Sequence, residues 1–334
     1  MTRIAINGFG RIGRNTFKAG LGKPGFQVVA INDLTDTNTL AHLLKHDTTY
    51  RTYHKTVSYN EKHLIVDGKK IPVFAERDPG ALPWKKLKVD VVLECTGIFT
   101  SEEKAMPHIA AGAKRVIISA PSKGGYVPTQ VIGVTKGAPK DAKILNNASC
   151  TTNSVAPVTA VMDEAFGVRK AFMTTIHSYT ADQNLQDGPH RDLRRARAAA
   201  QNIVPTTTGA AIATTEAIPS LKNKFDGISI RVPTITVSLS DFTFLLKKKV
   251  TVDLVKNAFT KAAASPRWKG ILEVTDEPLV SSDFIGSSAS AVVDLPFTYV
   301  IDGDFVKVLA WYDNEWGYSH RLAELAMQVM KSYR

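Results

Sequence analysis

The chain has 334 residues, of which 44% are hydrophobic and 22% charged. This suits about two globular domains and excludes a peptide ligand, a disulfide-stapled module, a fibrous repeat or a disordered chain. Lysine and arginine exceed aspartate and glutamate by 42 to 31, a formal charge of +11, which favours anionic partners such as nucleic acid, acidic lipid or phosphorylated metabolites.

In chain order, TRIAIN (2–7) reads as a strand, GFGRIG as a glycine turn and RNTFKAGL as a helix. A second strand follows at 27–32 and ends at Asp33, and further apolar runs recur at 89–94 and 116–119, with a helix-compatible stretch at 102–111 between them. Strands alternating with helices predict a parallel, doubly wound α/β sheet over roughly the first 149 residues. From Cys150 the pattern changes: Val155, Val158, Val161, Met162, Ala165 and Phe166 recur at helical spacing, and longer strand-type runs follow at 171–177, 228–232 and 236–245. A mixed α+β second domain is expected. The arginine-rich stretch between His177 and Pro205 reads as a long ordered loop, and 315–331 as a terminal helix with Leu322, Leu325, Ala326, Val329 and Met330 on one face.

No apolar run approaches the roughly 20 residues of a membrane span, and MTRIAINGFG reaches glycine and arginine before a signal-peptide core can form. A soluble, unexported chain is expected. The two cysteines, Cys95 and Cys150, stand 55 positions apart, with no CxxC or HExxH spacing anywhere, so neither a disulfide framework nor a metal site is indicated and a reducing cytoplasm fits.

Gly8, Gly10 and Gly13 form GxGxxG between a strand and a helix. In that context the first glycine allows the tight turn, the second lets backbone approach a pyrophosphate, and the third lets helix and strand pack closely, while the helix N-terminus supplies N–H donors. Asp33 follows Gly13 by 20 residues at the end of the next strand, where a carboxylate accepts both ribose hydroxyls of NAD and repels the extra phosphate of NADP. Dinucleotide binding is the expectation.

Cys150, in NNASCTTNS, opens the following helix. A free thiol is only a few per cent thiolate at neutral pH, and a helix start or a neighbouring imidazole raises that fraction. The polar neighbours suggest an exposed helix mouth and a nucleophile, whereas Cys95, in VVLECTG, reads as core. His177 closes the strand AFMTTIH and is the best-placed general base; the other seven histidines are assigned no role. Arg194, Arg195 and Arg197 form the densest guanidinium cluster, and Arg231 sits on the strand ISIRV opposite Ile228, Ile230 and Val232. Guanidinium forks suit phosphate oxygens, with Thr180 and the Thr208–Gly209 step able to add donors. For Arg194 and Arg197 singly a solvated face or ion pair is the simpler reading, as it is for Lys247, Lys248 and Lys249.

GFGRIGR, SCTTN, HSYT, LRRARAAA, TTTGAA and WYDNEWGYS, in this order and across nearly the whole chain, resemble phosphorylating, NAD-dependent glyceraldehyde-3-phosphate dehydrogenases. The resemblance implies a doubly wound (Rossmann) NAD-binding domain over 1–149, an α+β catalytic domain with a large mixed sheet over 150–314, and a C-terminal helix over 315–334 returning to the first domain, in a cytoplasmic homotetramer. It implies NAD contacts at Gly8, Gly10, Arg11, Ile12, Gly13, Asp33, Arg77, Ser119 and Asn314, the last orienting the nicotinamide carboxamide. Cys150 matches the nucleophile and His177 its base. Thr180 and Arg231 match the pocket for the substrate's C3 phosphate, and Ser149, Thr151, Arg195, Thr208 and Gly209 match the groups that receive attacking inorganic phosphate. The implied reaction converts glyceraldehyde 3-phosphate and phosphate to 1,3-bisphosphoglycerate through a thiohemiacetal and a thioester, without a metal. Ser154 stands where many relatives carry a second cysteine. Leu34 and Pro189 resemble the NAD-using members, and the retained Thr208, Gly209 and Arg195 favour the phosphorylating enzyme over erythrose-4-phosphate dehydrogenase. Two other readings stand beside it: another phosphate-dependent or hydrolytic aldehyde dehydrogenase, and a basic protein that binds RNA through its dinucleotide fold. The latter leaves Cys150 and His177 idle and lacks aromatic-interleaved basic motifs, so neither a nucleic acid nor a membrane is expected as the primary partner.

Overall fold

The computed structural model describes residues 1–331. The chain divides into two compact units, one comprising Met1–Gln130, Lys136–Ala148 and the described residues from Ser319 onward, the other comprising Val131–Thr135 and Ser149–Tyr318.

The first unit is built on an eight-stranded sheet. From edge to edge it runs through Ile144–Asn146, Arg115–Ile118, Val91–Glu94, Thr2–Asn7, Phe26–Asn32, Lys69–Phe74, His63–Val66 and Val57–Asn60. Every pairing from Ile144–Asn146 to Lys69–Phe74 is parallel, and the last two strands join antiparallel. Ile4, Ala5 and Ile6 are wholly buried, as are Val91, Val92 and Leu93, which is the continuous apolar run that a central parallel strand covered on both faces requires. Thr2–Asn7 lies between Phe26–Asn32 and Val91–Glu94, so the chain order reverses at this strand. In doubly wound sheets the ligand crevice opens at the carboxyl ends of the strands flanking such a reversal, here at Asn7 and Glu94.

The sequence pattern located the strands at 2–7, 27–32, 89–94 and 116–119 to within two residues at each end, but gave no signal for Ile144–Asn146 or for the strands between Val57 and Phe74. Ile144–Asn146 has only three residues. Of the strands between Val57 and Phe74, His63–Val66 does alternate, burying Leu64 and Val66, but over only four residues, and its neighbours begin with polar or lysine-bearing exposed positions, so the period-2 stripe is too short to read.

The second unit carries a seven-stranded sheet in the order Val204–Thr207, Phe225–Val232, Val168–Ser178, Ser238–Leu246, Phe305–Tyr312, Ala291–Ile301 and Leu272–Thr275. Val168–Ser178 runs parallel to Phe225–Val232 and antiparallel to Ser238–Leu246, which is antiparallel to Phe305–Tyr312. Burial alternates strictly along Ser238–Leu246, so one face packs inward. Against that face lies the helix Cys150–Phe166, whose residues 151–162 are all buried, with Val155, Val158 and Met162 in the same core as Phe242, Phe244 and Phe259. A helix buried on nearly every side needs neighbours all round, with hydrogen-bond partners for its polar first turn.

The segment from Tyr179 to Ile203 forms turns and bends between its flanking strands, and the C-terminal helix spans Trp316–Lys331 with Leu322, Leu325, Ala326, Val329 and Met330 buried. Among the described residues, no helix is long and apolar enough to cross a membrane.

Candidate active site

Sheet register brings the chemistry of the second unit together. His177 and Arg231 are register partners on adjacent parallel strands, and Ser238 and Tyr312 are partners on the next antiparallel pair. The ends of four neighbouring strands therefore converge.

Cys150 is the first residue of its helix. Ser149 is the N-cap, its Oγ accepting the Thr152 N–H at 3.0 Å, and the helix start places positive potential beside the sulfur. Cys150 Sγ lies 3.5 Å from His177 Nε2. On the other side of the ring, Nδ1 is 2.7 Å from the carbonyl oxygen of Ser178. A carbonyl can only accept, so Nδ1 carries the proton and Nε2 faces the sulfur as an acceptor. Tyr312 closes the floor: its hydroxyl meets Thr151 Oγ1 at 3.0 Å and Thr175 Oγ1 at 2.8 Å, and its ring stands edge-on to His177.

The environment differs from the exposed helix mouth that the polar SCTTN sequence suggested. Cys150 is half-buried, and Thr151, Thr152, Asn153 and Ser154 are buried, their polarity serving Ser149, Tyr312 and the helix start itself. Burial pushes the Cys150 thiol up, while the Arg231 charge and hydrogen bonding at Thr151 pull it down. Burial, seconded by Arg231, pushes His177 down to about 3. The resting pair is therefore neutral, and the imidazole is a vacant base next to a thiol. Cys95 is half-buried, and burial together with the neighbouring Glu94 carboxylate pushes its thiol up to about 12.

Arg231 donates from Nη1 to Thr180 Oγ1 at 3.1 Å and to the Ser178 carbonyl at 3.3 Å, while its buried Nε has no partner. Burial and the charge of Arg195 both lower its pKa. Two guanidinium groups close enough to repel, one with an unused donor, suit an anion. Arg195 donates from Nε to Thr206 Oγ1 at 3.0 Å and from Nη2 to the Thr207 carbonyl at 3.2 Å, and it pairs with Asp182. Next along the chain, Thr208 Oγ1 accepts the Ala210 N–H, and Gly209 is the N-cap of the helix Ala210–Ala217. Arg197 pairs with Asp187 at the surface, Arg194 reaches the Pro205 carbonyl, and Lys247, Lys248 and Lys249 are exposed.

Asn314 is buried, its Oδ1 accepting from Ser178 Oγ and from Ser238 Oγ, each at 3.0 Å. Asp313 holds the adjoining backbone: its carboxylate accepts from Thr236 Oγ1 and from the N–H groups of Gly286, Glu315 and Trp316.

In the first unit, Gly8 has φ +89° and any Cβ there would lie 2.7 Å from Thr96 N, while a Cβ on Gly13 would lie 2.2 Å from the Gly8 carbonyl oxygen. Both positions exclude a side chain for reasons of backbone contact. Above Gly10 there is open space, and this N-cap brings no side-chain cap and no acidic residue in the first turn of Arg11–Gly20. That electropositive, uncovered helix start fits a pyrophosphate. Asp33 is fixed beside it, accepting from Phe9 N–H at 2.6 Å and Thr35 N–H at 2.9 Å. These features fit a dinucleotide.

Around them, Arg11 pairs with Asp47 at 2.8 Å, Ile12 is partly buried, Arg77 is exposed, and Ser119 donates its N–H to the Glu94 carbonyl. Beneath the crevice, buried Glu94 takes the Thr96 N–H and hydroxyl, Asn7 Nδ2 and His108 Nε2, while Trp84 donates to His108 Nδ1. Among the described residues, no cluster of three or more ligand-type side chains could hold a metal.

The residue pattern did not disclose Ser178, Ser238, Tyr312, Asp313 or Glu94. Each acts through a cross-strand or capping contact, and a single polar residue at a strand end carries no period to read.

Comparison with known proteins matches residues 2–102 to the NAD-binding domain of glyceraldehyde 3-phosphate dehydrogenase and residues 149–314 to its C-terminal domain. Glyceraldehyde-3-phosphate dehydrogenase of Geobacillus stearothermophilus is 54% identical over 329 residues, covering 98% of each chain. Glyceraldehyde-3-phosphate dehydrogenase 1 of Bacillus cereus is 53% identical over 98% of each chain, and the enzyme of Zymomonas mobilis 50% identical over 99% of each.

Proposed function

This chain belongs to the glyceraldehyde-3-phosphate dehydrogenase family, and we propose that Cys150 and His177 carry out its reaction, the NAD-dependent oxidation of glyceraldehyde 3-phosphate with inorganic phosphate as acyl acceptor. The observation that carries the assignment is the 3.5 Å approach of Cys150 Sγ to the unprotonated Nε2 of His177.

Attack begins from a neutral pair. The thiol proton passes to Nε2 as sulfur bonds to the aldehyde carbon, and Nε2 hands that proton on to the carbonyl oxygen, giving the thiohemiacetal and leaving the imidazole neutral again. NAD, when bound, supplies the hydride acceptor; Gly8, Gly10, Arg11, Ile12, Gly13, Asp33, Arg77 and Ser119 are the residues that hold it, with Asn314 at the nicotinamide. As the C1 hydrogen departs with its electron pair, His177 takes the hydroxyl proton and the carbonyl re-forms as a thioester on Cys150. A phosphate oxygen then adds to the thioester carbon, the carbon–sulfur bond breaks, and Cys150 leaves as thiolate beside the imidazolium. Arg231 and Thr180 bind the C3 phosphate. Ser149, Thr151, Arg195, Thr208 and Gly209 receive the attacking phosphate, whose arrival ahead of water conserves the thioester's energy.

The homotetramer is part of the same proposal. Phe172, Phe297, Tyr299, Ile301 and Phe305 on strands of the second sheet are large apolar side chains left exposed, a feature of surfaces that other subunits cover. A cytoplasmic setting is supported by two free cysteines.

The test is NADH formation from glyceraldehyde 3-phosphate with and without inorganic phosphate. Turnover requires phosphate on this reading, and equal turnover without it would assign the chain to a hydrolytic dehydrogenase instead.

A further inference from the structure

We infer that Ser178 and Ser238 are positioning residues for the cofactor, locking the side-chain amide of Asn314 so that only its N–H donors face a ligand. The inference rests on the proposed meeting of Asn314 with the nicotinamide and says what decides the sense of that contact.

An amide has an acceptor end and a donor end that differ little in shape, so a lone asparagine can rotate to offer either. Here the choice is removed. Ser238 Oγ, which accepts the Ser178 backbone N–H at 3.2 Å, stands 3.0 Å from Asn314 Oδ1, an oxygen that can only accept, so the serine hydroxyl donates to it. The Ser178 hydroxyl supplies a second donor to the same oxygen, also at 3.0 Å. With both lone pairs of Oδ1 taken, the amide N–H groups are what Asn314 has left to give.

The backbone cannot swing to undo this, because Asp313 pins it to Thr236 and Gly286 and to the N–H groups of Glu315 and Trp316. A nicotinamide carboxamide also has one acceptor and one donor end. A donor-only partner pairs with its carbonyl oxygen, which fixes which way round the ring sits and hence which face of it is offered to the substrate carbon.

Ser178 has a second role through its main chain. Its carbonyl oxygen accepts from both His177 Nδ1 and Arg231 Nη1, so one residue sets the tautomer of the base, anchors the anion-binding guanidinium and orients the cofactor contact. The side-chain role is separable because Ser178→Ala removes only the hydroxyl.

The experiment measures NAD affinity by calorimetry on the full-length protein without substrate, together with the face of nicotinamide C4 that receives deuterium from C1-deuterated glyceraldehyde 3-phosphate. Ser178→Ala and Ser238→Ala should each weaken NAD binding about three- to tenfold, the scale of one lost hydrogen bond, and place detectable deuterium on the second face. Ser178→Thr, which keeps the hydroxyl, should restore both. Alkylation of Cys150 by iodoacetamide without NAD should change less than about twofold in Ser178→Ala, since the carbonyl contact to His177 survives. Asn314→Ala is the control for the underlying reading: if it leaves NAD affinity intact, Asn314 is not a cofactor contact and the proposed site fails with it. If Asn314→Ala weakens binding but both serine variants keep wild-type affinity and a single face, the serine clamp alone is refuted.

Discussion

Cys150 Sγ lies 3.5 Å from His177 Nε2, and the tautomer that makes this approach useful is imposed from the far side of the ring by the Ser178 carbonyl. The pair is buried enough to rest neutral, so nucleophile and base are activated together.

Cys150→Ser should lower turnover by at least about 10³-fold, since groups that act as a unit fail together, while leaving NAD affinity within about twofold. Steady-state assay and calorimetry on the same preparation check both halves. Wild-type turnover in the serine variant would remove the covalent route.

His177→Asn should slow the hydride step by about 10²–10⁴-fold. Its folded pKa of about 3 against 6.5 for the free imidazole also makes a stability statement. Between those values the folded form binds fewer protons than the unfolded one, so the contribution is full above about pH 6.5 and is lost as pH falls through the window toward 3. Denaturant midpoints across that range should fall less steeply in His177→Asn than in wild type, and parallel slopes would show that the imidazole is not held neutral by the fold.

Arg231→Leu should raise KM for glyceraldehyde 3-phosphate about 30-fold or more, the cost of unpairing a buried phosphate charge. The comparison that decides is against unphosphorylated glyceraldehyde, whose KM should barely move. An equal rise for both aldehydes would point to damage elsewhere in the site.

Asp33→Ala should narrow the preference for NAD over NADP by at least about tenfold, because a fixed carboxylate facing a phosphate costs several kcal/mol. The ratio of kcat/KM for the two cofactors reads it directly, and an unaltered ratio would place the discriminating group elsewhere.

Ser149→Ala should cost about 1 kcal/mol through loss of the N-cap to Thr152, seen as a drop of about 1–2 °C in Tm for a chain of this length. A stability unchanged by this substitution would mean that the cap contributes nothing at the mouth of the cysteine helix.

Much of this was legible before any coordinates. GxGxxG followed by a spaced acid announced the crevice because Gly8 answers the backbone of Thr96 and Gly13 that of Gly8, while Gly10 leaves open space at the helix start. The cysteine helix and the strand of His177 were legible because long apolar stripes have a period. Where the reading failed, it failed on the meaning of polarity. SCTTN looked solvent-facing, yet Thr151 and Thr152 are buried because Tyr312 and Ser149 satisfy them. Hydrogen-bond partners 161 positions apart leave no local trace. Ser178, next to His177 in the chain, is illegible for the same reason: its hydroxyl contact to Asn314 runs 136 positions along the sequence.

The oxygen shared by His177 and Arg231 belongs to the main chain. Ordinary substitution cannot delete it, so codon-by-codon scanning is blind to the joint that couples proton transfer to anion capture. Swapping the amide that follows Ser178 for an ester, which weakens that carbonyl as an acceptor while sparing every side chain, is the manipulation that reaches it.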